Sequence, residues 1–273
     1  MSMLEVSSLT LGYNEANIIK DLDLEIPIGE ITVFVGANGC GKSTLLRSLA
    51  RLLKPKSGQI LLSGDSIRSL STKEVAKRLA ILPQGPIAPE GLTVLQLVKQ
   101  GRYPHQSWLK QWSKEDEEIV NQALKATGME QLIARTVDSL SGGQRQRAWI
   151  AMILAQKTDT ILLDEPTTYL DMSHQIEVLD LLFDLNEKKQ STVVMVLHDL
   201  NLACRYAHNI VAVKNKNVYS QGRPEDVITV EMVRDVFNMN CDIRTDPLFG
   251  TPLCIPYGNG RKVRQNVQYK KIL

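Results

Sequence analysis

At 273 residues and 43% hydrophobic, the chain is large enough to bury a full core without disulfide or metal staples. A formal net charge of +2 with 23% charged residues lacks the concentrated basic face that nucleic-acid binding needs, so no nucleic-acid partner is expected. The four cysteines, Cys40, Cys204, Cys241 and Cys254, are scattered without ligand-like pairing, so neither a zinc site nor a disulfide framework is implied.

The opening Met1-Ser2-Met3-Leu4-Glu5-Val6 has no basic segment followed by an apolar run, so no signal peptide is expected. No stretch approaches the roughly 20 apolar residues that span a bilayer. Membrane association is therefore expected only through a partner. Alternation over 4–11 and 22–26 predicts two strands with a turn at 12–14. Ile31-Thr32-Val33-Phe34-Val35 is a short apolar run of the kind buried on both faces of a parallel or mixed sheet. It feeds a glycine loop, after which Leu45, Leu46, Leu49, Leu52 and Leu53 recur at helical spacing until Pro55.

Strands are predicted at 58–62 and 80–82, with a helix near 72–78 between them. From 86 to 156 the pattern turns helical, with helices expected at 92–99, 114–127 and 142–155. Strand-like runs return at 160–163, 192–197 and 210–213, with helices at 173–188 and around 199–207. Past Val236 no pattern stands out until a basic stretch containing Arg261, Lys262, Arg264, Lys270 and Lys271. The fold class read from this order is α/β, with an antiparallel N-terminal β part and an inserted helical part.

Gly36-Ala37-Asn38-Gly39-Cys40-Gly41-Lys42-Ser43 lies between strand and helix, where a phosphate-binding loop belongs. Gly36, Gly39 and Gly41 let backbone N–H groups close on phosphate oxygens at a helix N-terminus. Lys42 supplies a point charge to the β- and γ-phosphates and Ser43 an oxygen to Mg²⁺, with Asn38, Cys40 and Thr44 completing the loop. Cys40 is read as a small neutral filler. The apolar run Ile161-Leu162-Leu163 ends in Asp164 and Glu165. Side chains alternate along a strand, so one carboxylate can serve Mg²⁺ while the other addresses an attacking water.

Leu140-Ser141-Gly142-Gly143-Gln144 contains a capping box from Ser141 to Gln144. Gly142 and Gly143 each cost about 1 kcal/mol in a helix, which is read as close approach of a ligand to the backbone. The chain then has two anion-binding helix starts. A dimer in which each such turn caps the other protomer's nucleotide accounts for both.

The glycine loop, Gln84, the turn at 141–144, Asp164-Glu165, Leu170-Asp171 and His198 together resemble an ATP-binding subunit of the ABC transporter family. The likeness runs over 4–234. It implies an ABC-type ATPase that forms a head-to-tail homodimer holding two Mg-ATP between glycine loop and signature. It also implies Gln84 at Mg²⁺ and the lytic water, His198 at the γ-phosphate, Asp171 linking the two sites and Tyr13 stacking on adenine. His105, His174 and His208 receive no role.

The wording of 141–156, 164–179 and 196–207 further resembles ATPase subunits of ferric-siderophore importers of the ferric enterobactin and ferrichrome type. Vitamin B12 and haem importers are cousins. The implied partners are integral-membrane permease subunits and, indirectly, an extracellular or periplasmic siderophore-binding protein, with the chain peripheral on the cytoplasmic face of the cell membrane. The implied division is an ABC ATP-binding domain at 1–240 (core 1–85 and 157–240, helical subdomain 86–156) and a C-terminal extension at 241–273.

A P-loop kinase or GTPase would not explain the turn at 141–144. Soluble ABC ATPases of translation or repair usually carry two such domains or a long coiled coil, which 273 residues do not fit. Trp108 and Trp112 stand at i, i+4 in polar surroundings, read either as part of a permease docking surface or as local packing.

Overall fold

The computed structural model describes residues 2–13, 16–107 and 112–258. β1 (Ser2–Tyr13) and β2 (Ala16–Pro27) pair antiparallel. The buried set of β1 switches from Leu4 and Val6 to Leu9 and Leu11. A bulge produces the switch: Ser8 has φ 49° and the register with β2 shifts between Val6 and Leu9, which returns odd-numbered residues to the core.

β3 (Ile31–Val35), wholly buried, runs into the glycine loop and α1 (Lys42–Leu49). The leucine pattern predicted a helix continuing to Pro55, but α1 stops at Leu49. Arg51 adopts φ 62° and Leu52 is 62% exposed, so the last leucines of the pattern lie outside the helix.

β4 (Ser57–Leu62) and β5 (Asp65–Ser66) extend the first sheet, and α2 (Thr72–Arg78) precedes β6 (Leu79–Leu82). Then come α3 (Val94–Gln100), α4 (Lys114–Ala126) and α5 (Gly142–Gln156). Each of these three is opened by a capping box, Thr93 with Gln96, Ser113 with Asp116, and Ser141 with Gln144. A buried ion pair braces this helical part. Arg102 Nε lies 2.8 Å from Asp116 Oδ1 while its Nη1 donates to the Ala155 carbonyl at 2.8 Å.

The chain returns through β7 (Thr160–Leu163), α6 (Met172–Lys189), β8 (Thr192–Val196), α7 (Leu200–Tyr206), β9 (Asn209–Lys214) and β10 (Asn217–Gly222). Past β10, α8 (Pro224–Val227) and α9 (Val230–Phe237) lead to a hairpin of β11 (Cys241–Thr245) and β12 (Pro252–Pro256). This hairpin had no sequence signal. It docks on α7: Asn201 exchanges hydrogen bonds with the Cys254 backbone, and Arg205 pairs with Asp246 beneath the Phe249 ring.

The central sheet runs β10-β9-β3-β8-β7-β6, parallel except for β10 at one edge. Its two faces bury alternate residues. Ile31, Val33, Val35, Ile161, Leu163, Val193 and Met195 pack towards the helical part, whereas Phe34, Leu162, Val194 and Val196 pack against the antiparallel sheet β2-β1-β4-β5.

Candidate active site

Because β3, β6, β7 and β8 are parallel, their carboxyl ends fall along one edge of the sheet, where ligands of open α/β folds bind. Gly36 follows β3 directly, Gln84 comes two residues after β6, Asp164 follows β7 and His198 comes two residues after β8. A cleft of about 730 Å³ opens there. Asn38, Gly39, Gly41, Lys42, Ser43, Thr44, Gln84, Glu165 and His198 line it, as expected from the motifs.

Glu165 is the hub of the cleft. Its Oε2 accepts hydrogen bonds from Gln84 Nε2 at 2.6 Å and Thr168 Oγ1 at 2.9 Å, and its Oε1 lies 2.7 Å from His198 Nε2. Glu165 itself adopts φ 54°, an uncommon left-handed conformation that turns the chain at the strand end. Two residues from other strand ends and one from the following turn therefore meet on the Glu165 carboxylate.

Asp164 points the other way, into the protein. Its Oδ1 accepts the Ser43 hydroxyl at 2.8 Å, and Oδ2 is buried without a hydrogen-bond partner. Burial pushes its carboxyl above the ordinary range, against the opposing pull of the Ser43 bond and the Arg47 charge. A buried carboxylate oxygen with no hydrogen bond and only a long 3.9 Å ion pair to Arg47 Nε, beside a hydroxyl, is a donor set that suits a divalent cation. Lys42 is buried too, with Nζ donating to the carbonyls of Gly36 at 2.8 Å and Ala37 at 3.0 Å, which fixes the loop's curvature.

Two glycines have reasons the sequence did not show. Gly36 sits at φ 150°, and a Cβ there would overlap the Val213 carbonyl oxygen of β9 and crowd Cys40 Sγ. A Cβ on Gly143 would overlap the ring of His174 at the start of α6, an internal contact that favours glycine there in addition to the expected approach of a ligand.

Ser141, Gly142, Gly143 and Gln144 do not line the cleft. Gly142 borders a neighbouring depression with Glu165, Thr168 and Tyr169 on its other wall. Asp171 also lies outside the cleft, exposed, capping α6 through the His174 backbone N–H. Cys40 is buried behind the loop, in keeping with a filler role. The ring of Tyr13, Trp108 and the basic stretch past 258 lie outside the described residues. Motif reading missed Ile18, Thr168, Tyr169 and Lys216, which also line the cleft. Only Thr168 and Tyr169, adjacent to the Asp164-Glu165 pair, carried any signal of it.

A family model described as ABC transporter matches residues 19–168, a span that includes the glycine loop, the signature turn and both carboxylates. The chain belongs to the ABC transporter family. It is an ATP-binding ABC ATPase subunit, which works with membrane-spanning partners of a transport complex. Over 269 residues it is 70% identical to "Probable siderophore transport system ATP-binding protein YusV" of Bacillus subtilis (strain 168), covering 98% of each chain. Over 266 residues it is 70% identical to the petrobactin import ATP-binding protein FpuD of Bacillus anthracis, covering 97% of each. Among solved structures, the dimeric MJ0796, a bacterial ABC transporter cassette, aligns with a TM-score of 0.72 at 29% identity, covering 81% of this chain and 98% of that one. Among the described residues, no helix of this ABC subunit is long and apolar enough to cross a membrane.

Proposed function

We propose that this ABC ATPase drives uptake of an iron(III)-siderophore complex across the cytoplasmic membrane. The observation that carries this reading is the pair of relatives at 70% identity, matched over nearly their whole length, whose names are those of siderophore and petrobactin import subunits. The chain would act as a homodimer on the cytoplasmic face of its permease, with a binding protein outside delivering cargo.

The roles assigned to the site residues belong to the same proposal. Gly36, Asn38, Gly39, Cys40, Gly41, Lys42, Ser43 and Thr44 form the phosphate cradle of each protomer, and Tyr13 stacks on adenine. Ser141, Gly142, Gly143 and Gln144 cap the partner's nucleotide, which agrees with their position outside the protomer's own cleft. Ser43, Asp164 and Gln84 would hold Mg²⁺, and the Asp164 Oδ2 that lacks a hydrogen bond supports that set. The ion, when bound, neutralises charge on the β- and γ-phosphates.

Glu165 orients the water that attacks the γ-phosphorus, the bond to the bridging oxygen of ADP breaks, and ADP and phosphate leave. His198 contacts the γ-phosphate, and Asp171 links the two sites. The division into 1–240, with helical subdomain 86–156, and a C-terminal extension 241–273 belongs to the same proposal. The direct test is Mg-ATP turnover by the purified chain, together with ATP-dependent dimerisation of Glu165→Gln. A chain that neither hydrolyses ATP nor dimerises in that variant would refute this assignment of roles.

A further inference from the structure

The segment after Glu165 touches the signature turn at successive points. Leu170 Cδ2 lies 3.6 Å from where a Cβ on Gly142 would be. A Cβ on Gly143 would fall 2.7 Å from His174 Cγ and closer still to Cδ2. One turn further along, Arg147 of α5 pairs with Glu177 of α6. The His174 ring thus rests directly on the backbone of the first turn of α5.

The other edge of that ring is anchored. His174 Nδ1 lies 2.6 Å from Asp171 Oδ1, and the same oxygen accepts the His174 backbone N–H and the Ser173 hydroxyl, each at 3.0 Å. Those bonds, led by the backbone N–H, hold the Asp171 carboxyl below its usual range, so it is an ionised acceptor and Nδ1 carries the proton. At the far end of the segment, Thr168 Oγ1 donates to Glu165 Oε2 at 2.9 Å. Glu165, Thr168, Leu170, Asp171, His174 and Gly143 form one physically continuous strut.

We propose that His174 is a positioning residue that keeps the signature turn 141–144 in register with the hydrolytic carboxylate of its own protomer. The inference rests on the sandwich reading, in which Glu165 serves the protomer's own nucleotide and the signature serves its partner's. A shift of the 165–171 segment when the γ-phosphate is cleaved passes through the Asp171–His174 hydrogen bond to Gly143. The signature is thereby drawn from the second nucleotide. The imidazole acts by contact and by one hydrogen bond, and touches neither substrate.

Three measurements on the full chain test this. In steady-state hydrolysis, His174→Ala lowers kcat about fivefold or more while KM for ATP stays within about twofold, and the Hill coefficient falls towards unity. His174→Asn, which keeps a donor where Nδ1 stands, recovers most of the loss. In the Glu165→Gln background, His174→Ala weakens ATP-driven dimerisation, followed by sedimentation, by about fivefold or more. Finally, Gly143→Ala lowers the thermal unfolding midpoint in the wild type but much less in His174→Ala, because the overlapping ring is gone.

Normal kcat and normal dimerisation in His174→Ala overturn the inference and leave the sandwich intact. Equal losses in His174→Ala and His174→Asn overturn the hydrogen-bonded link. Gly143→Ala equally destabilising in both backgrounds overturns the contact. If Glu165→Gln itself stays monomeric in Mg-ATP, the sandwich reading fails and takes the inference with it.

Discussion

His198 Nε2 lies 2.7 Å from Glu165 Oε1, so the side chain assigned to the γ-phosphate and the one assigned to the attacking water share a hydrogen bond. Gln84 and Thr168 occupy the other carboxylate oxygen. The carboxylate is thus held in place by donors from two other strand ends and from the following turn. A phosphate that draws His198 to itself would release one lone pair of Glu165 for water, which couples nucleotide binding to readiness for hydrolysis.

Glu165→Gln keeps the side chain's size and much of its bonding but removes the basic oxygen. Hydrolysis is expected to fall roughly 10²–10⁴-fold, with ATP still bound and a closed dimer trapped. Lys42→Ala is expected to weaken ATP binding by at least about tenfold, since a charge-assisted contact is worth about 1.5–3 kcal/mol. Nucleotide titration with parallel phosphate-release assays separates the two.

Asp164→Asn is expected to abolish Mg²⁺-dependent turnover and yet stabilise the protein without nucleotide. The folded state raises the Asp164 carboxyl above its ordinary value, mainly by burial. Between those two values the folded state binds more protons than the unfolded one, so stability falls as pH rises through that window, and the full cost is present above it. Relief of that cost at neutral pH raises Tm by about 2–4 °C per kcal/mol recovered in a chain of this size. Calorimetry of both forms across pH checks it, and the gain should vanish at low pH.

Arg102→Ala is expected to destabilise the helical part by about 3–5 kcal/mol, the cost of leaving a buried carboxylate unpaired. Burial alone would raise Asp116, but the bonds from Arg102 and Ser113 outweigh it and hold the carboxyl below its usual range. Its contribution to stability is present above the ordinary carboxylate value and is lost as pH falls through the lower folded one. In Arg102→Ala the main opposing bond to burial is gone, so acidification should cost less stability than in the wild type. Urea unfolding between neutral and acid pH reads both effects.

Much of the site was legible because its residues are local in the chain. The apolar runs at 31–35 and 160–163 became β3 and β7 with the expected bounds, and their parallel pairing to β8 brought the glycine loop, both carboxylates and His198 to one edge. What escaped depends on contacts far apart in sequence. The packing of Gly143 on His174 and the place of Lys216 beside the loop leave no mark on neighbouring residues. The hairpin β11–β12 escaped because only Cys241 and Cys254 among its strand residues are buried, too few for an alternating pattern. The bulge at Ser8 broke the period of β1 midway, yet the strand was still legible from its two halves.

Trp112 is 38% exposed, with the Lys99 ammonium 4.7 Å from its ring centroid. It borders a shallow groove with Leu92, Gln96, Tyr103 and Gln106. Trp112→Ala is expected to weaken association with the permease by about 2 kcal/mol, roughly 30-fold, while ATP affinity is unchanged. Co-purification from detergent, beside nucleotide titration of the isolated subunit, distinguishes a docking residue from one that merely supports α3.

The most direct test of iron-siderophore import is uptake of labelled iron by cells lacking this chain, offered separately as hydroxamate, catecholate and citrate-type complexes, with vitamin B12 as control. Siderophore import by this chain predicts loss of one or more ferric-siderophore uptakes, restored by the wild type and not by Glu165→Gln. Intact iron uptake with lost B12 uptake, or no transport defect in a strain without redundant ATPases, would contradict it.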